Sequence, residues 1–242
     1  MRLLPDIYLV GSGEIGLSNP YDCHVYLIDG GDDAVLIDAG VGIDTPRLVA
    51  NIAEHIDIDR LSRVLVTHVH ADHCGGATYF QSLGKEVLVS TVEADLLEHA
   101  RDDITEALRL AKNAQAYPAD YEYRFFRPDA VIAEDAVLHV GSYEIVPIRM
   151  GGHSPGLLCF YVRTEGHNVL FSADQVFVNG AIGLLNAPGS DLHDYRRDIG
   201  KLSDLAVDAL LPGHRLFVLR NGQDHIDRAI ESLSRVFVPP TF

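Results

Sequence analysis

Along most of the chain, short apolar runs are separated by turn residues, and their lengths predict strands and helices in alternation. "IYLV" at 7–10 reads as a strand. "HVYLIDGGDDAVLIDAG" at 24–40 holds two apolar runs broken by Gly30, Gly31, Asp32 and Asp33, a hairpin pattern. Residues 44–56 place Leu48, Val49, Ile52 and Ile56 at helical spacing, with Pro46 near the first turn. "RVLVTH" at 63–68 predicts a buried strand, "GGATYFQSLG" a helix closed by Gly84, and "EVLVS" a further strand. A helical stripe then runs from Thr91 to Tyr117 through Leu96, Leu97, Ile104, Leu108 and Leu110.

The stretch "AYPADYEYRFFRPD" at 116–129 interrupts this order with aromatic rings between Pro118 and Pro128. Two readings of 91–128 stand side by side: a lid over a pocket, or a connector that packs its rings on the core. From 136 onward the strand pattern returns in "AVLHV", "YEIVPIRM", "LLCFYV" and "NVLFSAD". Helical patterns at 192–205 and 222–236 flank the short run "DALLPGH". The hairpin "LCFYVRTEGHNVLFSAD" echoes "VYLIDGGDDAVLIDAG", each a pair of apolar runs followed by an aspartate, Asp174 or Asp38. Two similar halves of this kind predict an α/β fold in which two facing mixed sheets carry helices outside, a four-layer αββα sandwich, formed as one domain over 1–242.

Composition narrows the function classes. The 242 residues are 47% hydrophobic and 22% charged, as in soluble globular proteins. A formal net charge of −16 and the lack of a Lys/Arg cluster argue against a nucleic-acid partner. No apolar run is long enough to span a bilayer, and Pro5 and Asp6 interrupt the apolar patch at the N-terminus, so the expectation is a cytoplasmic protein with no membrane partner. Cys23, Cys74 and Cys159 form no CxxC pair and read as small buried apolar residues in a reducing compartment. A homodimer is the default among soluble oligomers.

The candidate chemistry lies in "VLVTHVHADHCGG" at 64–76, where His68, His70, Asp72 and His73 fall within six positions. Chance gives this pattern in roughly a few chains per thousand. If the strand continues, its period of two turns His68 and His70 to one side. Asp72 and His73 fall where the chain turns toward a helix, and Gly75 and Gly76 are expected to allow a sharp turn. Crowding these imidazoles and a carboxylate without a cation would leave donors and acceptors competing for partners. His153 in "MGGHSPG", Asp174 in "VLFSAD" and His214 in "LLPGH" also end apolar runs, as supplementary ligands would. Ser154 and Cys74 adjoin these residues but show no base beside them, which argues against either as a nucleophile.

"THVHADHCGG", followed in order by "GGHSPG", "FSAD" and "PGH", resembles the metallo-β-lactamase superfamily over most of the chain. The resemblance implies the αββα sandwich and two divalent ions, zinc first among them, with iron and manganese as alternatives. It implies that His68, His70 and His153 bind one ion, that Asp72, His73 and His214 bind the other, and that Asp174 bridges both. It further implies hydrolysis of a small ester, lactone or thioester by a metal-bridging hydroxide, with Asp72 and Asp174 as catalytic residues. Tyr195 lies where related lactonases present a tyrosine to substrate, and it reads equally as a helix-packing residue. Asp38 either orients a ligand histidine or ends its strand. His24 lies near the implied site and reads as a packing residue. The alternatives in function are a mononuclear-iron persulfide dioxygenase and a catalytically silent binding or regulatory protein of the same fold.

Overall fold

The computed structural model describes residues 1–134 and 136–241. Its contacts gather into two compact units, Met1–Ala133 with Val140–Ser142, and Glu134–His139 with Tyr143–Phe242.

The first unit is built on a seven-stranded sheet in simple sequence order, β1 (Arg2–Leu4), β2 (Ile7–Gly11), β3 (Val25–Asp29), β4 (Ala34–Ile37), β5 (Leu61–Leu65), β6 (Glu86–Ser90) and β7 (Ala130–Ile132). The pairs from β1 to β4 are antiparallel, and those from β4 to β7 are parallel. Parallel neighbours need crossover connections, and helices supply them. α1 (Thr45–Ala53) links β4 to β5, α2 (Ala71–Cys74) and α3 (Ala77–Ser82) link β5 to β6, and α4 (Thr91–His99) and α5 (Arg101–Asn113) precede β7. Val25–Ile28 and Ala34–Ile37 are buried at every position, which explains why these runs are continuously apolar. Leu48 and Ile52 of α1 and Phe80 of α3 pack into the same core as Val25, Leu27, Leu36, Val64 and Val87. Full burial of each such side chain contributes about 1.5–3 kcal/mol.

The second unit holds a five-stranded sheet in the order β12-β11-β10-β9-β8, from β8 (Leu138–Val140), β9 (Tyr143–Met150), β10 (Leu157–Thr164), β11 (His167–Ala173) and β12 (Ala209–Pro212). β9, β10 and β11 run antiparallel, and β12 joins β11 in parallel. α6 (Leu192–Asp198) continues into a 3-10 turn at Ile199–Leu202, and α7 (Gly222–Leu233) follows β12. Tyr195, Leu202, Ile226 and Ala229 pack with Met150, Cys159 and Leu170.

Several expectations change in detail. The single helix expected from Thr91 to Tyr117 breaks at Ala100, whose φ of −118° and ψ of 37° leave the helical region. Arg101 donates to the Leu97 carbonyl at 3.0 Å and so satisfies a terminal acceptor of α4. Asp102 and Asp103 favour a new helix start through its dipole. The strand expected to carry the histidines ends at Leu65, so strand alternation does not orient them. Gly75 and Gly76 have ordinary helical φ values of −59° and −79° and make no sharp turn. Glycine is needed there because a Cβ on Gly75 would run into the Val41 carbonyl, and one on Gly76 into that of Ala39. All three cysteines are buried and unbridged. Among the described residues, no helix is long and apolar enough to cross a membrane.

Candidate metal centre

In the first unit, the segment after β5 carries four candidate ligands. His68 Nε2 and His70 Nδ1 stand 3.0 Å apart, with the rings edge to face at 79°. His70 is extended (φ −69°, ψ 148°) and leads into α2, which holds Asp72 and His73. His73 Nε2 lies 3.6 Å from Asp72 Oδ2, and its ring centroid lies 4.1 Å from that of His68.

One buried carboxylate organises the back of this group. Asp38, at the end of β4, accepts from the Thr67 amide at 2.7 Å and from Thr67 Oγ1 at 2.9 Å, and it meets His73 Nδ1 at 2.7 Å. A hydroxyl has a single proton. Thr67 gives its proton to Asp38, so at 3.0 Å it accepts from His68 Nδ1–H. Both rings are thereby protonated on Nδ1, which leaves Nε2 as the ligating nitrogen of each. Burial pushes the Asp38 carboxyl up, and the bonds from His73 and Thr67 act against that shift. Asp38 is therefore the orienter of a candidate ligand. His24 is buried with Nδ1 2.9 Å from Ser12 Oγ, the packing position expected of it.

The aromatic segment grips the same loop. The Val69 amide donates to Glu93 Oε2 at 2.9 Å, and the Val69 carbonyl accepts from Tyr123 Oη at 2.9 Å. Glu93, in the first turn of α4, is fully buried. Tyr121 Oη donates to the Val41 carbonyl at 2.9 Å, and Tyr117 Oη donates to Asp72 Oδ1 at 2.5 Å. Through Tyr117, Tyr121 and Tyr123 the segment straps itself to the ligand loop and its neighbour, while α5 contributes no buried residue. Cys74 lies 3.1 Å from Tyr123 Oη, and burial pushes its thiol up to about 12, so it stays protonated near neutral pH and makes a poor nucleophile.

In the second unit, two candidate histidines converge on one candidate carboxylate. Asp174 Oδ2 lies 3.5 Å from His153 Nε2 and 3.6 Å from His214 Nε2. His153 Nδ1 donates to the Gly183 carbonyl at 2.5 Å, which again sets Nε2 as the ligating nitrogen. The loop before it is held through Gly151, whose amide donates to Asp198 Oδ2 at 2.8 Å and whose carbonyl accepts from Gln175 Nε2 at 2.9 Å. Burial works against charge on Asp198, yet bonds from Arg197, the Gly151 amide and Lys201 hold its carboxyl well below the usual range. Tyr195 is fully buried, its ring lies against Gly152, and its hydroxyl donates to the Asp174 carbonyl at 3.3 Å. The structure thus gives Tyr195 the helix-packing role instead of a substrate-facing one.

The donor set fits a small divalent cation. Ligands held tetrahedrally at about 2.1 Å from one ion stand about 3.4 Å apart. Within each unit the pairs described above lie at 3.0–3.6 Å. Sequence reading named the seven candidate ligands from their motifs. It missed Thr67, Glu93, Tyr117, Tyr123, Gln175 and Asp198, which have no motif of their own. The one available signal was adjacency, since Thr67 precedes His68 and Gln175 follows Asp174.

Comparison with known proteins agrees with this fold. The family model described as metallo-beta-lactamase superfamily matches residues 18–214. The acyl-coenzyme A thioesterase MBLAC2 of Gallus gallus is 30% identical over 208 residues, which cover 79% of this chain and 72% of that protein. The atrochrysone carboxyl ACP thioesterase of Aspergillus fumigatus is 24% identical over 96% of this chain and 63% of its own length. A metallo-beta-lactamase family protein from Thermus thermophilus superposes with a TM-score of 0.72 at 21% identity, over 95% of this chain and 80% of that one, which shows the fold. The chain belongs to the metallo-β-lactamase superfamily, and its two mixed sheets with flanking helices are the α/β sandwich fold of that family.

Proposed function

We propose that this chain is a metal-dependent thioester hydrolase that holds two divalent ions, zinc by preference. His68, His70 and His153 take the first ion, Asp72, His73 and His214 take the second, and Asp174 is shared. The observation that carries this reading is the outer bonding of three histidines. His68 Nδ1 is tied to Thr67, His73 Nδ1 to Asp38 and His153 Nδ1 to Gly183, so every one presents Nε2. Such bonds fix a ring for ligation before any cation arrives.

When bound, the ions supply a water activated at neutral pH and a Lewis acid for the scissile carbonyl. The chain's own part is to fix the ligand rings through Thr67, Asp38 and Gly183 and to keep the neighbouring Cys74 thiol buried and protonated. In the overall reaction water adds its oxygen to the acyl carbon, the C–S bond breaks, and the thiol leaves with the remaining proton. The thioester class is supported by the thioesterase relatives, and a cytoplasmic location by three thiols that form no disulfide.

Purified protein incubated with short and long acyl-coenzyme A thioesters, with thiol release followed by a colorimetric thiol reagent, tests the reading alongside elemental analysis. About two divalent ions per chain and thiol release that stops on chelation and returns with Zn2+ are expected. Thiol release that persists after complete metal removal would overturn it. A single iron per chain with oxygen uptake on a persulfide would point instead to the dioxygenase chemistry.

A further inference from the structure

We propose that Tyr117 is a positioning residue that sets the affinity of the second metal ion by orienting Asp72. This inference rests on the two-ion reading above. The aromatic segment that follows α5 sends three tyrosine hydroxyls toward the ligand loop and its neighbour. Tyr121 and Tyr123 end on backbone carbonyls, those of Val41 and Val69. Tyr117 alone of the three ends on a ligand side chain.

The carboxylate of Asp72 is divided between two tasks. Oδ1 accepts the Tyr117 hydroxyl at 2.5 Å, and Oδ2 faces His73 Nε2 at 3.6 Å, the spacing of two ligands on one ion. A phenol has one proton to give, and Asp72 Oδ1 accepts it. The bond restricts the rotation of the carboxylate, so that Oδ2 and not Oδ1 is turned toward His73. The Tyr117 ring is braced in its turn. It stacks on the Tyr121 ring at a centroid distance of 5.5 Å and an interplanar angle of 23°. The position of the phenol is thus set by packing, independently of the ligand it touches. No sequence motif announces this role, because Tyr117 lies 45 residues from Asp72.

Tyr117→Phe keeps the ring and its stack and removes only the hydroxyl. Stepwise Zn2+ binding to the metal-free full-length chain, by competition with a chromophoric chelator, reads the two affinities separately, and a thermal melt of the metal-free form checks folding. The expected result is a loss of about 10- to 100-fold in the weaker step, with the tighter step unchanged. Tyr121→Phe, which releases a backbone carbonyl only, should bind both ions as the wild type does. Wild-type affinities for both ions in Tyr117→Phe would overturn the proposal. So would an equal loss in Tyr121→Phe, which would assign the effect to the strap as a whole. A wild type that takes up fewer than two ions would instead overturn the two-ion reading, and this inference with it.

Discussion

Replacing Asp38 with asparagine tests the tautomer logic at its root. Asp38 has φ +66°, a left-handed conformation that Asn also adopts readily, so the backbone is spared. The amide keeps one oxygen for the Thr67 N–H but places an NH2 donor where Thr67 Oγ1 and His73 Nδ1 now donate. The bonds can be restored only by reversing them. The amide then donates to His73 Nδ1 and to Thr67 Oγ1, and the Thr67 proton turns to His68 Nδ1 at 3.0 Å. Both rings end with their proton on Nε2, the nitrogen required for ligation. Loss of an outer partner costs about 10- to 100-fold in metal affinity, or about 1.4–2.8 kcal/mol. His68 belongs to one proposed ligand set and His73 to the other, so both steps of Zn2+ binding should weaken by about that factor. Metal-free stability should change much less, by about 1 kcal/mol, because burial already disfavours the Asp38 charge. Chelator competition gives the affinities, and the 15N shifts of the imidazoles in the metal-free protein report the tautomers. Wild-type affinity for both ions, with both rings still protonated on Nδ1, would refute the reasoning.

Gly75→Ala should destabilise the chain by about 1–3 kcal/mol in urea unfolding, since φ is permissive and the cost is the overlap with the Val41 carbonyl. An unchanged midpoint would show that the 39–42 loop yields freely. Tyr195→Phe should lower stability by about 0.5–1.5 kcal/mol and leave KM alone, whereas a raised KM at unchanged stability would place the hydroxyl on the substrate. Asp198→Asn tests pH linkage. The folded carboxyl titrates below its unfolded value, so its contribution is whole above pH ~4 and is lost as the pH falls through the folded value. The stability gap between wild type and variant, read from urea midpoints, should therefore narrow in acid; a gap that is constant with pH would discount the ion pairs of Asp198.

Much of the fold was readable because burial imposes itself on composition. Strands such as Glu86–Ser90 and Leu157–Thr164 follow their apolar runs, since a buried strand admits little else. The unread elements are short or depend on partners. β1 and β7 are three residues each, and β7 exists through its pairing with β6, which no local pattern announces. The break at Ala100 escaped notice because the apolar stripe continues across it, and α5 itself contains no buried residue to mark a change of axis.

The candidate ligands were readable for a different reason, and the residues behind them were not. A ligand must be His or Asp at a loop end, so its identity is visible in one dimension. Its supports need only reach it, and they come from anywhere. Each unit solves this problem in the same way, by fixing both backbone groups of one residue in the ligand loop. Val69 is held by Glu93 and Tyr123 between His68 and His70, and Gly151 is held by Asp198 and Gln175 two residues before His153. A buried Glu or Asp used in this manner carries a desolvation cost that a surface residue would not, and a fold retains it where the position of the loop matters more than the stability lost. The sequence separations, 24 and 54 residues to Val69 and 47 and 24 to Gly151, explain why these grips appear only once the chain has folded.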